Sequence, residues 1–273
     1  YPPQEPLSEA GQKYAAECLR RGEGIACEEA AYGDDPYQRL SIFRAARPDG
    51  RVLVFWHGGG WTSGYKEWMH FNAPAFSAAG ITFVAPGYRL APKHLFPIGW
   101  EDCTRALAWV HRNVRGYGGD PAKLFVGGHS AGGHYAALLA ARRDWPARVD
   151  LPADVVKGAL PVSGTYWFGA DSGLSMRPRF LGPEGPDNAN EHEASPIRHL
   201  APRPPPMLLF HGTEDFPHLV KQAEGFETAV RAVGGEVARI AMPGRNHFSA
   251  HYACGEADGP MVPAALAFMA QHA

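Results

Sequence analysis

Short runs of apolar residues alternate along the chain with segments whose apolar positions recur every three or four residues. The short runs predict strands at 38–43, 52–56, 81–85, 124–126, 158–162, 207–210 and 236–241. The periodic segments predict helices at 8–21, 100–113, 219–233 and 263–272. Strands and helices in alternation predict an α/β fold with a mostly parallel sheet of the eight-stranded type and helices on both faces.

The N-terminal arm, residues 1 to about 30, contains the first predicted helix. Ser8 is a candidate N-cap, and Leu7, Ala10, Tyr14 and Leu19 are the apolar positions that predict its buried face. Such an arm either packs over a substrate entrance or covers one edge of the sheet.

A second irregular region, about 165–206, interrupts the pattern of strands and helices. It is rich in glycine, proline and polar residues, with Tyr166, Trp167, Phe168 and Phe180 spread through it. Aromatic residues favour a packed segment over disorder, so we expect a small cap-like insertion. At this length the default is one domain over 1–273.

The most informative segment is Gly128-His129-Ser130-Ala131-Gly132, which follows the apolar run 124–126 and precedes an Ala/Leu-rich run. A serine in a G-x-S-x-G turn between a strand and a helix is typical of a nucleophile elbow, in which small flanking residues let the hydroxyl stand above the sheet. The sequence therefore predicts Ser130 as a nucleophile.

A second glycine-rich segment, His57-Gly58-Gly59-Gly60-Trp61, follows the predicted strand 52–56. Consecutive glycines leave main-chain N–H groups uncovered, and such donors can stabilise a developing oxyanion. We expect a side chain at Gly59 to obstruct this role while leaving the melting temperature nearly unchanged. A phosphate-binding loop is the competing interpretation, but neither of its glycine patterns is present here.

A serine nucleophile needs an imidazole to accept its proton and a carboxylate to orient that imidazole. The loops predicted at 211–215 and 243–248 supply Asp215 and His247, each after a predicted strand. The order Ser130, Asp215, His247 is that of α/β-hydrolases. Alternatives remain open: Glu214 and Asp171 for the acid, and His218, His251, His211 and His57 for the base.

Charge and composition narrow the class of substrate. With 26 basic and 28 acidic residues and no run of either sign, the chain offers no case for nucleic acid or an anionic membrane, and a small molecule fits better. No apolar stretch approaches the ~20 residues needed to span a bilayer. No helical pair of histidines supports a metal site, so none is expected.

The N-terminus and the cysteines bear on localisation. The first residues show no signal peptide, although the chain begins without Met, which leaves open the removal of an export signal. The four cysteines are too few and too scattered for a disulfide framework, which favours reduced thiols and a cytoplasmic location. A monomer or homodimer is expected.

Together these motifs, with Tyr88-Arg89-Leu90-Ala91-Pro92 and Phe96-Pro97 between them, resemble the α/β-hydrolases of the hormone-sensitive-lipase-like esterase branch. Within it the chain is similar to small carboxylesterases and to arylformamidases (kynurenine formamidases). The resemblance implies Ser130 as nucleophile, His247 as base and Asp215 as acid, with the N–H groups of Gly59, Gly60 and Ala131 as the oxyanion hole and no cofactor.

Two departures keep alternative substrates open. Arylformamidases usually carry a bulky residue where Gly60 stands, and the segment His211-Gly212-Thr213-Glu214-Asp215 also resembles the acid loop of prolyl-oligopeptidase-type peptidases.

Aromatic residues flank every predicted catalytic loop, and we expect them to line one substrate pocket. They are Trp61, Tyr166, Trp167, Phe216 and Phe248. The function expected is hydrolysis of small carboxylic esters with short acyl or aryl groups through an acyl-enzyme. The alternatives are hydrolysis of N-formylkynurenine, a peptidase-like amide hydrolysis, and a non-catalytic receptor on a hydrolase scaffold.

Overall fold

A single mixed sheet organises the computed structural model, which describes residues 1–183 and 189–273. Within those residues the sheet has eight strands in the order β1-β2-β4-β3-β5-β6-β7-β8. Strand β2 pairs antiparallel with both of its neighbours, β1 and β4, and all the other pairs are parallel. The strands are β1 (Glu28–Ala31), β2 (Arg39–Phe43), β3 (Gly50–Trp56), β4 (Thr82–Pro86), β5 (Gly119–His129), β6 (Val156–Val162), β7 (Met207–Glu214) and β8 (Val237–Asn246). The predicted α/β architecture is confirmed.

Helices cover the sheet. The α-helices are α1 (Glu9–Gly22), α2 (Ala73–Ala78), α3 (Ile98–Asn113), α4 (Ala131–Ala141), α5 (Arg177–Leu181), α6 (Asn190–Ala194), α7 (Pro217–Ala232), α8 (His247–Tyr252) and α9 (Val262–Gln271). Short 3₁₀ helices occupy Lys66–Asn72, Val114–Tyr117, Pro146–Val149, Pro196–Arg198 and Ala253–Gly255. No helix in the described part of the chain has the length and apolar character needed to cross a membrane.

The core lies on both faces of the sheet because neighbouring residues of a strand point to opposite sides. On β3, Val54 and Trp56 belong to one buried cluster and Leu53 and Phe55 to the other. All four are fully buried. From Val52 to Trp56 the strand is therefore continuously apolar, as expected for a strand covered on both faces.

Two features of the sheet differ from the sequence-based expectation. Strand β1 was not predicted, since Glu28-Glu29-Ala30-Ala31 is mostly exposed and carries no apolar alternation; it forms by pairing with β2. The loops expected at 211–215 and 243–248 are in large part strand, because β7 and β8 continue until Glu214 pairs with Asn246.

Helix α1 begins as predicted but buries a different face. The Ser8 hydroxyl accepts a hydrogen bond from the Gly11 N–H at 3.2 Å, as an N-cap does. Tyr14 and Cys18 are buried, whereas Ala10 and Leu19, both expected on the apolar face, are exposed. The helix lies against the 3₁₀ segment Lys66–Asn72, so the four-residue step from Tyr14 to Cys18 sets its inner face.

The expected cap-like region carries the short helices α5 and α6 and the 3₁₀ turn Pro196–Arg198. Phe168 and Phe180 within it are buried and pack against each other, with ring centroids 5.5 Å apart. Residues 184–188 of this region lie outside the described residues.

Candidate active site

Ser130 occupies the turn between β5 and α4. Its φ of 55° and ψ of −116° are unusual for a side-chain-bearing residue. The turn is crowded, since a Cβ added to Gly132 would lie 2.1 Å from the carbonyl oxygen of Trp56. Glycine is therefore required beside the serine, and the hydroxyl projects beyond the carboxyl end of the sheet.

Three sequence-predicted residues meet at this edge of the sheet. The Ser130 Oγ lies 3.0 Å from His247 Nε2, and His247 Nδ1 lies 2.9 Å from Asp215 Oδ1. Asp215 directly follows β7 and His247 begins α8 directly after β8. Among the alternative residues within the described structure, neither Glu214 nor Asp171 contacts His247; both are exposed. The arrangement can pass a proton from a serine to an imidazole that a carboxylate orients.

Asp215 is held by more than the histidine. The Ser163 hydroxyl donates to Oδ2, and the Phe216 N–H donates to Oδ1 at 2.7 Å. Burial alone would raise the pKa of Asp215, but the hydrogen bonds from His247, Ser163 and Phe216 together with the charge of His247 outweigh it and lower the pKa to about 2. Asp215 is therefore ionised at neutral pH.

Sequence reasoning missed Ser163, the residue that completes the environment of this carboxylate. It follows β6 directly, has a φ of 51°, and its N–H donates to the Phe210 carbonyl at 2.7 Å. Its position after a central parallel strand is the signal that would have identified it, since the carboxyl ends of such strands carry the site residues.

A buried chain of hydrogen bonds supports His247 from behind. His129 Nε2 lies 2.9 Å from the His247 carbonyl oxygen, and His129 Nδ1 lies 3.2 Å from the Tyr14 hydroxyl. The same hydroxyl lies 2.8 Å from His251 Nδ1, and His251 Nε2 lies 3.1 Å from Asn72 Nδ2. We call these residues, Tyr14, Asn72, His129 and His251, the histidine relay.

Which group donates in each hydrogen bond of the histidine relay follows from the contact between His129 and the His247 carbonyl oxygen. A carbonyl only accepts, so His129 carries its proton on Nε2, and Nδ1 of this neutral ring must accept from the Tyr14 hydroxyl. The Tyr14 oxygen then accepts from His251 Nδ1–H, and His251 Nε2 accepts from the Asn72 amide. One set of tautomers thus satisfies all four contacts and links helix α1 to the backbone of His247.

Four buried histidines surround the site and are neutral at pH 7. Burial lowers the pKa of His57 to about 4 and that of His129 and His134 to about 3, and it holds the pKa of His251 well below its usual value. The charge of His247 adds to the effect at His129. We refer to these four as the buried histidine group.

The segment after β3 brings backbone donors to Ser130. Gly59 and Gly60 have φ values of 110° and 61°, and in the described part of the chain their N–H groups donate to no other protein group. A Cβ at Gly59 would lie 2.0 Å from the Ser63 carbonyl oxygen, whereas one at Gly60 would only touch Met176 at 3.6 Å. The expectation that a side chain at Gly59 leaves stability unchanged is therefore wrong, because it collides with the backbone.

The cavity above Ser130, which we call the Ser130 pocket, has a volume of about 540 Å³. Of the expected aromatic residues, Trp61, Phe216 and Phe248 line it, and so do Leu7 and Tyr14 of the N-terminal arm. Part of the arm thus forms a wall of the Ser130 pocket.

Several contacts hold Trp61 in the pocket wall. Its indole N–H donates to His134 Nδ1 at 3.0 Å, and its ring stacks on Phe180 with centroids 4.4 Å apart. His134 Nε2 in turn donates to the Ala194 carbonyl at 2.7 Å. These contacts tie the pocket wall to the cap-like region.

Tyr166 and Trp167 do not line the Ser130 pocket, which corrects the expectation of one shared aromatic pocket. They line a neighbouring cavity of about 340 Å³. The reason is packing: the Tyr166 ring stacks on Phe226 of α7 at 4.4 Å, and the N–H groups of Tyr166 and Trp167 both donate to the Gln222 side chain.

Two groups of possible metal ligands lie outside the Ser130 pocket. One consists of Cys27, Glu29 and His70, and the other of His192, Glu193 and His199. The residues of each group come from different secondary-structure elements or turns. A sequence pattern of two histidines on one helix therefore does not predict them. In the first group Lys66 already pairs with Glu29 at 2.9 Å.

Comparison with known proteins agrees with the fold. A family model described as alpha/beta hydrolase fold matches residues 53–251. The chain belongs to the α/β-hydrolase family. The match contains Ser130, Asp215 and His247 and the glycine segment after β3, and it confirms the resemblance drawn from those motifs.

Relatives of this α/β-hydrolase include esterase LipC of Mycobacterium tuberculosis, 31% identical over 84% of this chain and 61% of that protein. Isoprenylcysteine alpha-carbonyl methylesterase ICME of Arabidopsis thaliana is 26% identical over 79% of this chain and 55% of its own length. The chain thus spans between about half and three fifths of these two relatives.

Solved structures show the same fold. The Pyrobaculum calidifontis esterase superposes with a TM-score of 0.77 at 22% identity, covering 96% of this chain and 93% of that one. Butyrate-bound esterase Est2 of Thermogutta terrifontis superposes with a TM-score of 0.76 at 23% identity, covering 91% and 95%.

Proposed function

We propose that this α/β-hydrolase is a serine esterase that cleaves small carboxylic esters with short acyl or aryl groups. The observation that carries the proposal is the hydrogen-bonded series Ser130, His247 and Asp215, with contacts of 3.0 and 2.9 Å, at the base of a pocket of about 540 Å³. A pocket of this size fits a small molecule.

In the first step the Ser130 oxygen attacks the ester carbonyl carbon while its proton moves to His247 Nε2. The carbonyl oxygen becomes an oxyanion that the N–H groups of Gly59, Gly60 and Ala131 stabilise. When the C–O bond to the alcohol breaks, the departing oxygen takes the proton from His247, and the acyl group remains on Ser130.

In the second step a water molecule attacks the acyl carbon and gives a proton to His247. The carboxylic acid leaves as the proton returns to the Ser130 oxygen. Asp215 stays ionised throughout and stabilises the charged imidazole through the contact with Nδ1.

The relatives support an ester substrate, since LipC is named an esterase and ICME a methylesterase. The structurally similar esterase Est2 was solved with butyrate bound, which makes four carbons a sensible centre for an acyl-length series. We therefore expect acyl groups of about two to six carbons to be preferred, because a closed pocket discriminates by roughly 1–3 kcal/mol for each misfit methylene.

The test combines labelling with a substrate series. A fluorophosphonate probe is expected to label the wild-type protein and not Ser130→Ala. The kcat/KM values for p-nitrophenyl esters from C2 to C16 are measured beside those for N-formylkynurenine and a proline-containing peptide. Labelling that persists in Ser130→Ala, or no labelling at all, excludes the serine mechanism.

The substrate series separates the remaining alternatives. A kcat/KM that still rises at C12 contradicts the short-acyl preference. A rate on N-formylkynurenine far above every ester makes the protein an arylformamidase, and a comparable result with the peptide makes it a peptidase.

A further inference from the structure

A second cavity lies beside the Ser130 pocket, between α7 and the loop that follows β6. Its volume is about 340 Å³. The loop and the turn Pro196–Arg198 form one side, and four residues of α7 form the other: His218, Lys221, Gln222 and Gly225. We call it the α7 cavity.

The floor of the α7 cavity is preformed. The Gln222 side-chain oxygen accepts from the N–H groups of Tyr166 and Trp167 at 2.8 and 2.9 Å, and its amide nitrogen donates to the Ser172 carbonyl at 3.0 Å. Tyr166 is buried and stacks on Phe226. Trp167, which is half-buried, is the aromatic residue of this floor that a ligand can reach, and the hydrogen bonds to Gln222 hold its backbone in place before a ligand binds, which favours affinity.

Gly225 keeps this cavity open. It lies in the interior of α7, where glycine destabilises a helix by about 1 kcal/mol relative to alanine. Its backbone is not left-handed, and a Cβ built on it would meet nothing within 4 Å. Neither the backbone nor packing requires glycine here, and its effect is to leave space on the helix face that lines the α7 cavity.

The rim of the α7 cavity carries three exposed charges, those of Lys221, Arg198 and Asp171. None of the three forms an ion pair with another residue in the described part of the chain. Two positive charges against one negative charge give the rim an excess of one positive charge. The ligand that fits has an apolar body and a negatively charged group.

The position of His247 connects the α7 cavity to the reaction. The departing alcohol oxygen must lie within hydrogen-bond reach of His247 Nε2, so the alcohol portion extends along the His247 side of the Ser130 pocket. There Phe216 packs on His247 with ring centroids 4.7 Å apart and stacks on His218 at 5.8 Å. His218 lines both the Ser130 pocket and the α7 cavity.

We propose that the α7 cavity is the binding site for the alcohol portion of the ester, and that it prefers an aromatic or apolar alcohol that carries a carboxylate. This inference rests on the proposed esterase function and adds the class of leaving group to it. His218 lies at the boundary that the alcohol portion passes, and the acyl portion occupies the Ser130 pocket itself, whose wall includes Trp61.

The test uses three butyrate esters that share an acyl group: methyl butyrate, phenyl butyrate and 4-(butyryloxy)benzoate. Gly225→Leu adds a bulky side chain to the wall of the α7 cavity. The matched control is Glu224→Leu, because Glu224 precedes Gly225 on α7 and does not line the cavity. Each kcat/KM is divided by the wild-type value for the same ester, so the intrinsic reactivity of the leaving group cancels.

We expect Gly225→Leu to lower the ratio of kcat/KM for phenyl butyrate to that for methyl butyrate by about tenfold or more, because the ring loses its apolar contact. Glu224→Leu is expected to keep the wild-type ratio. Lys221→Gln is expected to lower the preference for 4-(butyryloxy)benzoate over phenyl butyrate by about threefold, the size of effect typical of an exposed charge pair.

Two results overturn the inference. In one, Gly225→Leu changes kcat/KM for all three esters by the same factor or leaves all three values unchanged. In the other, Lys221→Gln leaves the carboxylate preference as it is in the wild type. If the wild type hydrolyses methyl butyrate in either case, the esterase function stands and only the leaving-group site is wrong. If the wild type hydrolyses none of the esters, the proposed function falls and the leaving-group site falls with it.

Discussion

Replacing Tyr14 by phenylalanine tests whether the histidine relay positions His247. The change keeps the ring that packs on Trp68 and Phe248 and removes only the hydroxyl. That hydroxyl donates to His129 Nδ1 at 3.2 Å and accepts from His251 Nδ1 at 2.8 Å. Within the described part of the chain, its loss leaves the buried His129 Nδ1 without a partner and leaves His251 Nδ1 with only the Cys18 sulfur, 3.8 Å away.

The size of the effect on stability follows from those two groups. A buried polar group without a partner costs about 1–3 kcal/mol. Because one ring nitrogen loses its partner and the other keeps only a weak contact with the Cys18 sulfur, we expect the free energy of unfolding to fall by about 2–4 kcal/mol. With about 2.1 cal/mol/K of unfolding entropy per residue, 273 residues give about 0.6 kcal/mol per degree. The melting temperature should therefore fall by about 3–7 °C.

The effect on activity separates positioning from a purely structural role. His129 donates to the backbone carbonyl of His247, so a displaced His129 ring moves the imidazole that must reach Ser130. Displacements of ~1 Å cost up to about 100-fold in rate, and for this remote change we expect kcat to fall by about tenfold with KM within a factor of two. Hydrolysis of p-nitrophenyl butyrate at 25 °C measures both values well below the melting transition.

The control is Tyr252→Phe, since the Tyr252 hydroxyl has no hydrogen-bond partner in the described part of the chain while its ring also packs near Tyr14. It should keep the wild-type kcat. If Tyr14→Phe loses the expected stability and still shows the wild-type kcat, the relay has no part in positioning and the reasoning is refuted.

Further predictions concern the site and the pH dependence of stability. Ser130→Ala and His247→Ala should each lower kcat on the order of 10⁴-fold or more, and Asp215→Asn should lower it somewhat less. Ester hydrolysis kinetics measure these changes, and a wild-type kcat in Asp215→Asn would mean that another residue is the acid. Gly59→Ala should lower the melting temperature several times more than Gly60→Ala, as thermal unfolding will measure, and equal melting would contradict the contact with the backbone. Below pH 6.5 the buried histidine group takes up protons only in the unfolded chain, so each member should remove about 1.4 kcal/mol of stability per pH unit as pH falls toward 5. The ionised Asp215 adds stability that is lost only at lower pH, as pH falls from about 3.8 toward 2. If urea unfolding gives the same free energy of unfolding at pH 7 and at pH 5, the argument from the buried histidine group is refuted.

The three residues that meet at the candidate site were predictable because their signals are local. Small residues around Ser130 mark a turn that only they permit, and Asp215 and His247 each follow an apolar run. Parallel strands bring their carboxyl ends to one edge of a sheet, so residues far apart in sequence meet there once the strands are recognised. The fold class and these three positions therefore required no knowledge of side-chain packing.

The supporting contacts were not predictable because they depend on which faces pack together. Tyr14 reaches His129 and His251 across 115 and 237 positions of sequence, and no local pattern relates them. Tyr166 sits beside a predicted catalytic loop, but stacking on Phe226 turns it toward α7. Periodicity identifies an apolar residue and leaves open which of two neighbouring cavities it lines.

The backbone at Ser130 has an evolutionary consequence. A non-glycine residue held at a φ of 55° and a ψ of −116° costs of order 1–3 kcal/mol, and glycine at that position would relieve the strain. The substitution that removes the proposed nucleophile is thus expected to stabilise the protein. Under the proposed function, selection for thermal stability and selection for hydrolysis act in opposite directions at this residue.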